Sequence, residues 1–397
     1  MKRKQLFYFL PALLLIASPL SAQPVPASVM KFHRKCILID THNDVLSELT
    51  MRGHDISNWL RVGNTDLPRL KQGGVDVQFF SVWCDGSYGK GRAFNYANEE
   101  IDSLMSIIKR NHGKIALAKN YEDIMQDVRQ GKLAAMIGVE GGHMIEGRLD
   151  YLDSLYRRGM RYMTLTWNNS NGWATSAVDE TYHRDSLKHL GLTDFGKEVV
   201  HRMNQLGVMV DLAHVGRQTF FDAIHTSTKP VIVSHSCVYK ICPVARNLRD
   251  DQIRAVKKNS GVICVNFYSG FVDSNYQHKV DAFIAEYRPE VDSLEHIKHE
   301  SANDAAFEIL TPEEKQSLRP PLSLLIDHID YIVKMIGIDY VGIGSDFDGA
   351  ESYPLGLDDV TDYPKITEAL LQRGYSKKDI RKILGGNVLR VIKANMD

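Results

Sequence analysis

The chain has 397 residues, of which 44% are apolar and 24% charged, and its formal net charge is -1 at pH 7. That length can bury a large core. The near-neutral charge, with no basic stripe and no RNA-binding motif, argues against nucleic acid or an anionic membrane as the main partner.

Lys2, Arg3 and Lys4 precede an apolar run from Leu6 to Ala17, and the small and turn-forming Pro19, Ser21 and Ala22 follow. This order predicts a secretory signal peptide over residues 1–22. An uncleaved anchor is the competing reading, but the apolar run is short for a full span. Residues 23–397 are then expected to be one exported domain, periplasmic or secreted, with no membrane span of its own.

Eight short apolar runs follow: Cys36–Asp40, Val75–Trp83, Ala134–Val139, Tyr162–Trp167, Val208–Leu212, Val231–Ser234, Val262–Phe267 and Val341–Gly344. Continuous runs of this kind predict strands buried on both faces of a parallel sheet. Amphipathic stretches lie between them. Asn98–Asn111 carries Ile101, Leu104, Met105 and Ile108 at helical spacing. Asp194–Leu206 follows Thr193, a candidate N-cap, and Pro321–Ile336 opens on a first-turn proline. The alternation predicts an α/β fold, a (β/α)₈ TIM barrel. A doubly wound open sheet is the alternative, but no glycine-rich dinucleotide fingerprint follows the first run. Gly172–Lys188 and Phe271–Leu318 are longer insertions after the fourth and seventh runs. Both could wall a pocket; the second could equally be a solvated helical insertion.

The five cysteines, Cys36, Cys84, Cys237, Cys242 and Cys264, match no zinc ribbon. Cys36 and Cys264 sit in apolar runs as small hydrophobes. In an exported chain Cys237 could pair with Cys242 or another partner.

Polar residues gather at the carboxyl ends of the runs, where barrel active sites are built. The first run leads into His42 and Asp44, two apart and so on one face of an extended chain. The third ends in Glu140-Gly-Gly-His143, and one carboxylate can offer an oxygen to each of two metals. Asp211-Leu-Ala-His214 ends the fifth run and Ser234-His235-Ser236 the sixth. Mixed histidine and carboxylate sets suit zinc. Asp346 follows the eighth run. Any one of these residues has an ordinary structural explanation. Together, as packing alone, they would bury several costly polar groups with nothing in common to bind.

Asp40-Thr-His-Asn-Asp44, Ile137-Gly-Val-Glu-Gly-Gly-His143, Gly159-Met-Arg-Tyr162, Asp211-Leu-Ala-His-Val215, Val231-Ile-Val-Ser-His-Ser236, Ala245-Arg-Asn247 and Gly344-Ser-Asp-Phe-Asp-Gly349 together resemble the membrane dipeptidase (renal dipeptidase) family of the amidohydrolase group. The resemblance implies a (β/α)₈ barrel with two Zn²⁺ ions. His42 and Asp44 would bind one, His214 and His235 the other, and Glu140 would bridge them. Asp346 matches the acid/base residue, and Arg246 the residue that grips the substrate's terminal carboxylate with two parallel hydrogen bonds. The family's Leu-Thr-His is here Leu165-Thr-Trp167. Indole can donate a hydrogen bond but cannot accept one or titrate near neutrality, so Trp167 is either a substrate contact or a rim packing residue. Asn168 or Asn169 could supply the missing donor.

The reaction this implies is hydrolysis of a dipeptide's amide bond by a metal-activated hydroxide, with Asp346 moving the proton to the leaving amine. The alternatives are an N-acyl-amino-acid or cyclic-amide hydrolase on the same two metals, and an inactive peptide-binding relative. A homodimer is compatible with the sequence.

Overall fold

The structure is a computed structural model and describes residues 24–298 and 301–396. The signal peptide expected over residues 1–22 lies outside the described residues. The strands, in chain order, are β1 (Ile39–Asp40), β2 (Val77–Trp83), β3 (Ile115–Leu117), β4 (Leu133–Glu140), β5 (Met160–Thr164), β6 (Met209–Asp211), β7 (Ile232–Ser236), β8 (Val262–Val265) and β9 (Val341–Ile343). All pairings are parallel. β1 joins β2 and β9, and β2 also joins β4, which closes a ring of eight. With helices between the strands, this is the predicted (β/α)₈ barrel.

β3 stands outside the ring and was not predicted. It pairs with β4 at Leu133–Ala135, and β5 takes over that edge from Ile137 onward. Three residues are too few to carry a readable pattern. The first predicted strand narrows to Ile39–Asp40, and the fourth stops at Thr164, short of Trp167.

Strand parity places the site. On β4, Ala135, Ile137 and Val139 pack outward against the helices. Ala134 and Met136 pack inward with Ile39, Val77, Phe79, Tyr162 and Met209. Glu140 shares the inward parity and so emerges at the top of the barrel. Gly138 is inward too. A Cβ there would lie 2.0 Å from the Tyr162 ring, so glycine is what lets that ring cross the interior. The C-terminal helix Asn387–Met396 adds Val388, Val391 and Ile392 to the same inner cluster.

The expected helices form. Asp194–Leu206 is capped by the Thr193 side chain, which accepts from the Gly196 amide. Leu322–Ile336 follows Pro321, and Ala93–Arg110 covers the Asn98–Asn111 stretch. After β8 the chain builds helices at Tyr276–Glu286, Arg288–Lys298, Ala302–Ile309 and Pro312–Leu318. They bury their own apolar cluster, including Tyr276, Val280, Phe307 and Leu318. The insertion is therefore a helical layer with its own small core, anchored beside the site. All five cysteines are buried thiols, so Cys237 and Cys242 are unpaired. Their Sγ–H groups meet the carbonyl oxygens of Asn266 and Gly270. Among the described residues no helix is long and apolar enough to cross a membrane.

Candidate active site

The structure brings His42, Asp44, Glu140, His214, His235 and Asp346 together inside the rim. Glu140 lies between two groups. Its Oε1 is 2.8 Å from His214 Nε2 and 3.4 Å from His235 Nε2. Its Oε2 is 3.4 Å from His42 Nε2, which in turn lies 3.3 Å from Asp44 Oδ2 and 3.9 Å from Asp346 Oδ1. Each carboxylate oxygen thus faces a different set of ligating atoms.

The outer nitrogens of His214 and His235 explain why their inner ones are bare. His214 Nδ1 lies 3.0 Å from Asn168 Oδ1, an acceptor, so Nδ1 carries the proton. His235 Nδ1 lies 2.9 Å from Ser234 Oγ. That hydroxyl already donates to Asp211 Oδ2 at 2.6 Å and so accepts from His235. Asp211 is held in place by the Ser234 amide and the Thr164 hydroxyl. His42 Nδ1 meets the Tyr162 hydroxyl at 2.8 Å. Burial keeps both remaining rings neutral: it pushes His214 down to about 3, with the Arg246 charge adding, and His235 well below its ordinary value. The Nε2 atoms of His214 and His235 are consequently two lone pairs only 2.9 Å apart, both facing a carboxylate oxygen. That arrangement repels itself unless a cation sits among them. Among the described residues His42 Nε2 and Asp44 Oδ1 are buried without a hydrogen-bond partner. Burial disfavours a charged His42, but the Glu140 and Asp44 carboxylates outweigh it and raise its pKa well above the ordinary value, so this position too attracts a cation.

Asp346 closes the Asp44 side. Its Oδ2 accepts from Asn266 Nδ2 at 2.8 Å, which leaves Oδ1 toward His42. Burial pushes its carboxyl up to about 7; Asp44 and Glu140 reinforce this while His42 opposes it. A group that titrates near neutrality is suited to both taking and giving a proton. His214 and Asp346 also adopt left-handed backbone, at φ 62° and 63°, a strain of about 1–3 kcal/mol that functional sites tolerate. Gly349 is required beside them, because a Cβ there would fall 2.2 Å from Asp44 Oδ2 and 2.5 Å from Asp346 Oδ1.

Arg246 is 7% exposed. Nη1 donates to Ser236 Oγ and Nη2 to the His235 carbonyl, both at 3.3 Å, and the guanidinium sits 5.1 Å from the Phe271 ring centre. Nε is buried without a partner. No carboxylate pairs with Arg246 among the described residues, and burial lowers its pKa to about 10. Phe271 is the contact through which the long insertion reaches the site. Trp167 is half-buried at the rim, with its ring 5.0 Å from that of Trp83 and 6.4 Å from that of His214. Asn168 faces His214, so its carbonyl oxygen serves the histidine. His143 turns away from the cluster, and its Nε2 meets the Cys84 carbonyl at 2.9 Å.

Sequence reasoning missed the supports. Tyr162 and Ser234 lie inside recognisable motifs, but only the inward parity of β5 and β7 would have pointed to them. Asp211, one residue before the Leu212 end of its predicted strand, lies in the motif that ends at His214. Asn266 carried no signal.

Comparison with known proteins sets these residues in a frame. The family model for membrane dipeptidases, peptidase family M19, matches residues 27–396. Dipeptidase 3 of Macaca fascicularis is 32% identical over 361 residues, which cover 90% of this chain and 64% of that protein. The chain thus spans less than two thirds of that relative's length. Among solved structures, the probable dipeptidase PvdM from Pseudomonas aeruginosa superposes with a TM-score of 0.76 at 23% identity, covering 93% of this chain and 98% of that one. A metallo peptidase from Rhodobacter sphaeroides, liganded with a phosphinate mimic of the dipeptide L-Ala-D-Ala, gives 0.73 at 22% identity, covering 91% and 99%. At such identities these two likenesses speak for the fold.

Proposed function

The chain belongs to the membrane dipeptidase family, peptidase family M19, and on that premise we propose that it is a zinc-dependent dipeptidase. His42, Asp44 and Glu140 Oε2 would hold one Zn²⁺. Glu140 Oε1, His214 and His235 would hold the other. The donor set fits, since the bare Nε2 atoms of His214 and His235 converge on Glu140 Oε1 while His42 Nε2 lies against the Asp44 and Glu140 carboxylates, and such mixed sets suit zinc. Bound there, the ions would polarise the scissile carbonyl and lower the pKa of water.

The chain's own residues supply the rest. Asp346 Oδ1 takes a proton from the attacking water and returns it to the leaving amine, while Asn266 holds the other oxygen still. Tyr162, Asn168 and the Ser234–Asp211 pair keep each imidazole turned inward. Arg246 grips the substrate's terminal carboxylate. The reading extends to export through residues 1–22.

One observation carries this reading: a buried guanidinium, unpaired among the described residues, stands beside the histidine pair. A buried cation calls for an anion, and a short peptide with a free carboxylate brings one. The test is Arg246→Met, assayed on dipeptides and on the same dipeptides amidated at the C-terminus. Charge-assisted hydrogen bonds are worth about 1.5–3 kcal/mol, so kcat/KM for the free acids should fall roughly tenfold to a hundredfold, with little change for the amides. Equal losses on both substrates would remove Arg246 from carboxylate recognition. Hydrolysis of N-acyl amino acids in place of dipeptides would keep the anion site and change the substrate class.

A further inference from the structure

We infer that Trp83 and Trp167 form an aromatic wall that selects dipeptides with a large apolar first residue. This deepens the dipeptidase reading and rests on it for the placement of the substrate.

The two indoles have no evident structural task. Among the described residues neither belongs to an apolar core cluster, whereas nearby Trp173 does. Both are half-buried. Trp83 keeps a buried indole N–H without an acceptor. They pack edge to face on each other, with ring centres 5.0 Å apart and planes at 62°, a preferred aromatic geometry. Two of the largest apolar side chains therefore leave the core and meet at the mouth of the site.

Topology places Trp83 across the ring from the carboxylate grip and Trp167 part-way round, one strand beyond β6. Trp83 ends β2 in register with Glu140, and Trp167 follows β5, whose Thr164 pairs with Glu140 on the other side. The pair thus flanks Glu140 from both neighbouring strands. Arg246 follows β7. Around the ring, β7 is separated from β2 by β8, β9 and β1 in one direction and by β6, β5 and β4 in the other. With its carboxylate at Arg246 and its amide over Glu140, a dipeptide directs its first residue toward β2, where Trp83 stands with Trp167 packed against it. There it meets the indoles.

Among the described residues, the ion pairs around Glu140 are those of the centre itself. Apart from the Trp83 indole N–H and Asn169 Oδ1, the surface that the two rings offer a substrate side chain is apolar. Such pockets discriminate by about tenfold or more per added group.

The test uses phosphinate analogues of Phe-Ala and Gly-Ala, titrated calorimetrically into the metal-loaded full chain, with hydrolysis of the two dipeptides measured alongside. Wild type should bind the Phe analogue about tenfold or more tighter than the Gly analogue. Trp167→Ala and Trp83→Ala should each bring that ratio within about threefold, and Trp167→Phe, which keeps a ring, should retain most of it. A wild-type ratio near one, or an unchanged ratio in both alanine variants, overturns the wall. The hydrolysis arm is separate. If the analogue ratio holds but neither dipeptide is cleaved, the dipeptidase reading fails and the aromatic selection stands.

Discussion

Glu140 at the barrel rim and Glu351 under the helical insertion are both carboxylates drawn toward the interior, yet their oxygens meet opposite company. Glu351 Oε1 accepts from the hydroxyls of Tyr268 at 2.8 Å and Tyr276 at 3.0 Å, and from Asn303 Nδ2 at 3.4 Å. Glu140 Oε1 faces two imidazole nitrogens whose protons are on the far side of their rings. One carboxylate is satisfied by the protein and acts as a structural tie between the insertion and the loop after β9. The other faces two bare imidazole nitrogens, and the long 3.4 Å hydrogen bond from the Ser81 hydroxyl to Oε2 leaves Oε1 to be satisfied by a ligand from outside. Burial alone does not separate a structural polar group from a functional one; the partners do.

The contrast can be broken at either end. The largest effect is expected at Glu140. Losing even an outer partner of a metal ligand costs about 10–100-fold in affinity, and Glu140 touches both sets. Glu140→Gln should therefore strip bound metal, read by elemental analysis, and lower turnover by at least about a hundredfold. The same variant without metal should melt no lower than metal-free wild type, because an amide N–H can donate to a bare Nε2. A large loss of metal-free stability would make Glu140 a structural tie after all.

Glu351→Leu should do the reverse. It removes the acceptor of two phenols and an amide, so urea unfolding should show a loss of about 1–3 kcal/mol, with metal content unchanged. Metal loss in this variant would erase the distinction between the two regions.

A smaller effect sharpens the view of how the insertion is held. His328, on the helix Leu322–Ile336, accepts from the Val238 amide through Nδ1 and donates to the Val272 carbonyl through Nε2. Burial lowers its pKa from 6.5 to about 4. The unfolded chain therefore takes up this proton first as the pH falls. The stability that His328 contributes is complete above about pH 6.5 and is lost as the pH drops toward 4, by about 3 kcal/mol in all. Chemical denaturation across this range should show the slope, and His328→Gln should flatten it. An unchanged slope would assign the acid sensitivity elsewhere.

Much of this was legible in the amino acids because barrel physics writes itself locally. Strands buried on both faces must be short and apolar, and each of the eight ring strands falls within or overlaps a predicted run. The rim polar residues follow those runs directly, so His42, Glu140, His214, His235 and Asp346 could be named in advance. What stayed hidden depends on distances across the ring. The Tyr162 hydroxyl reaches His42 over 120 positions of sequence, through a gap left by Gly138. The burial of Arg246 follows from the packing of Phe271, at the start of an insertion whose fold the sequence left open. β3 is too short to announce itself. Trp167 was visible as a departure, but its partner Trp83 read as the end of an ordinary strand.

The most direct test of the central claim is the metal content of the purified chain, measured together with the release of amino acids from a panel of L-L and L-D dipeptides and N-acyl amino acids, before and after chelation. The account predicts about two zinc ions per chain and dipeptide cleavage that is lost on chelation and restored by zinc. A chain that holds no metal, or that holds metal and cleaves none of the panel, would contradict it.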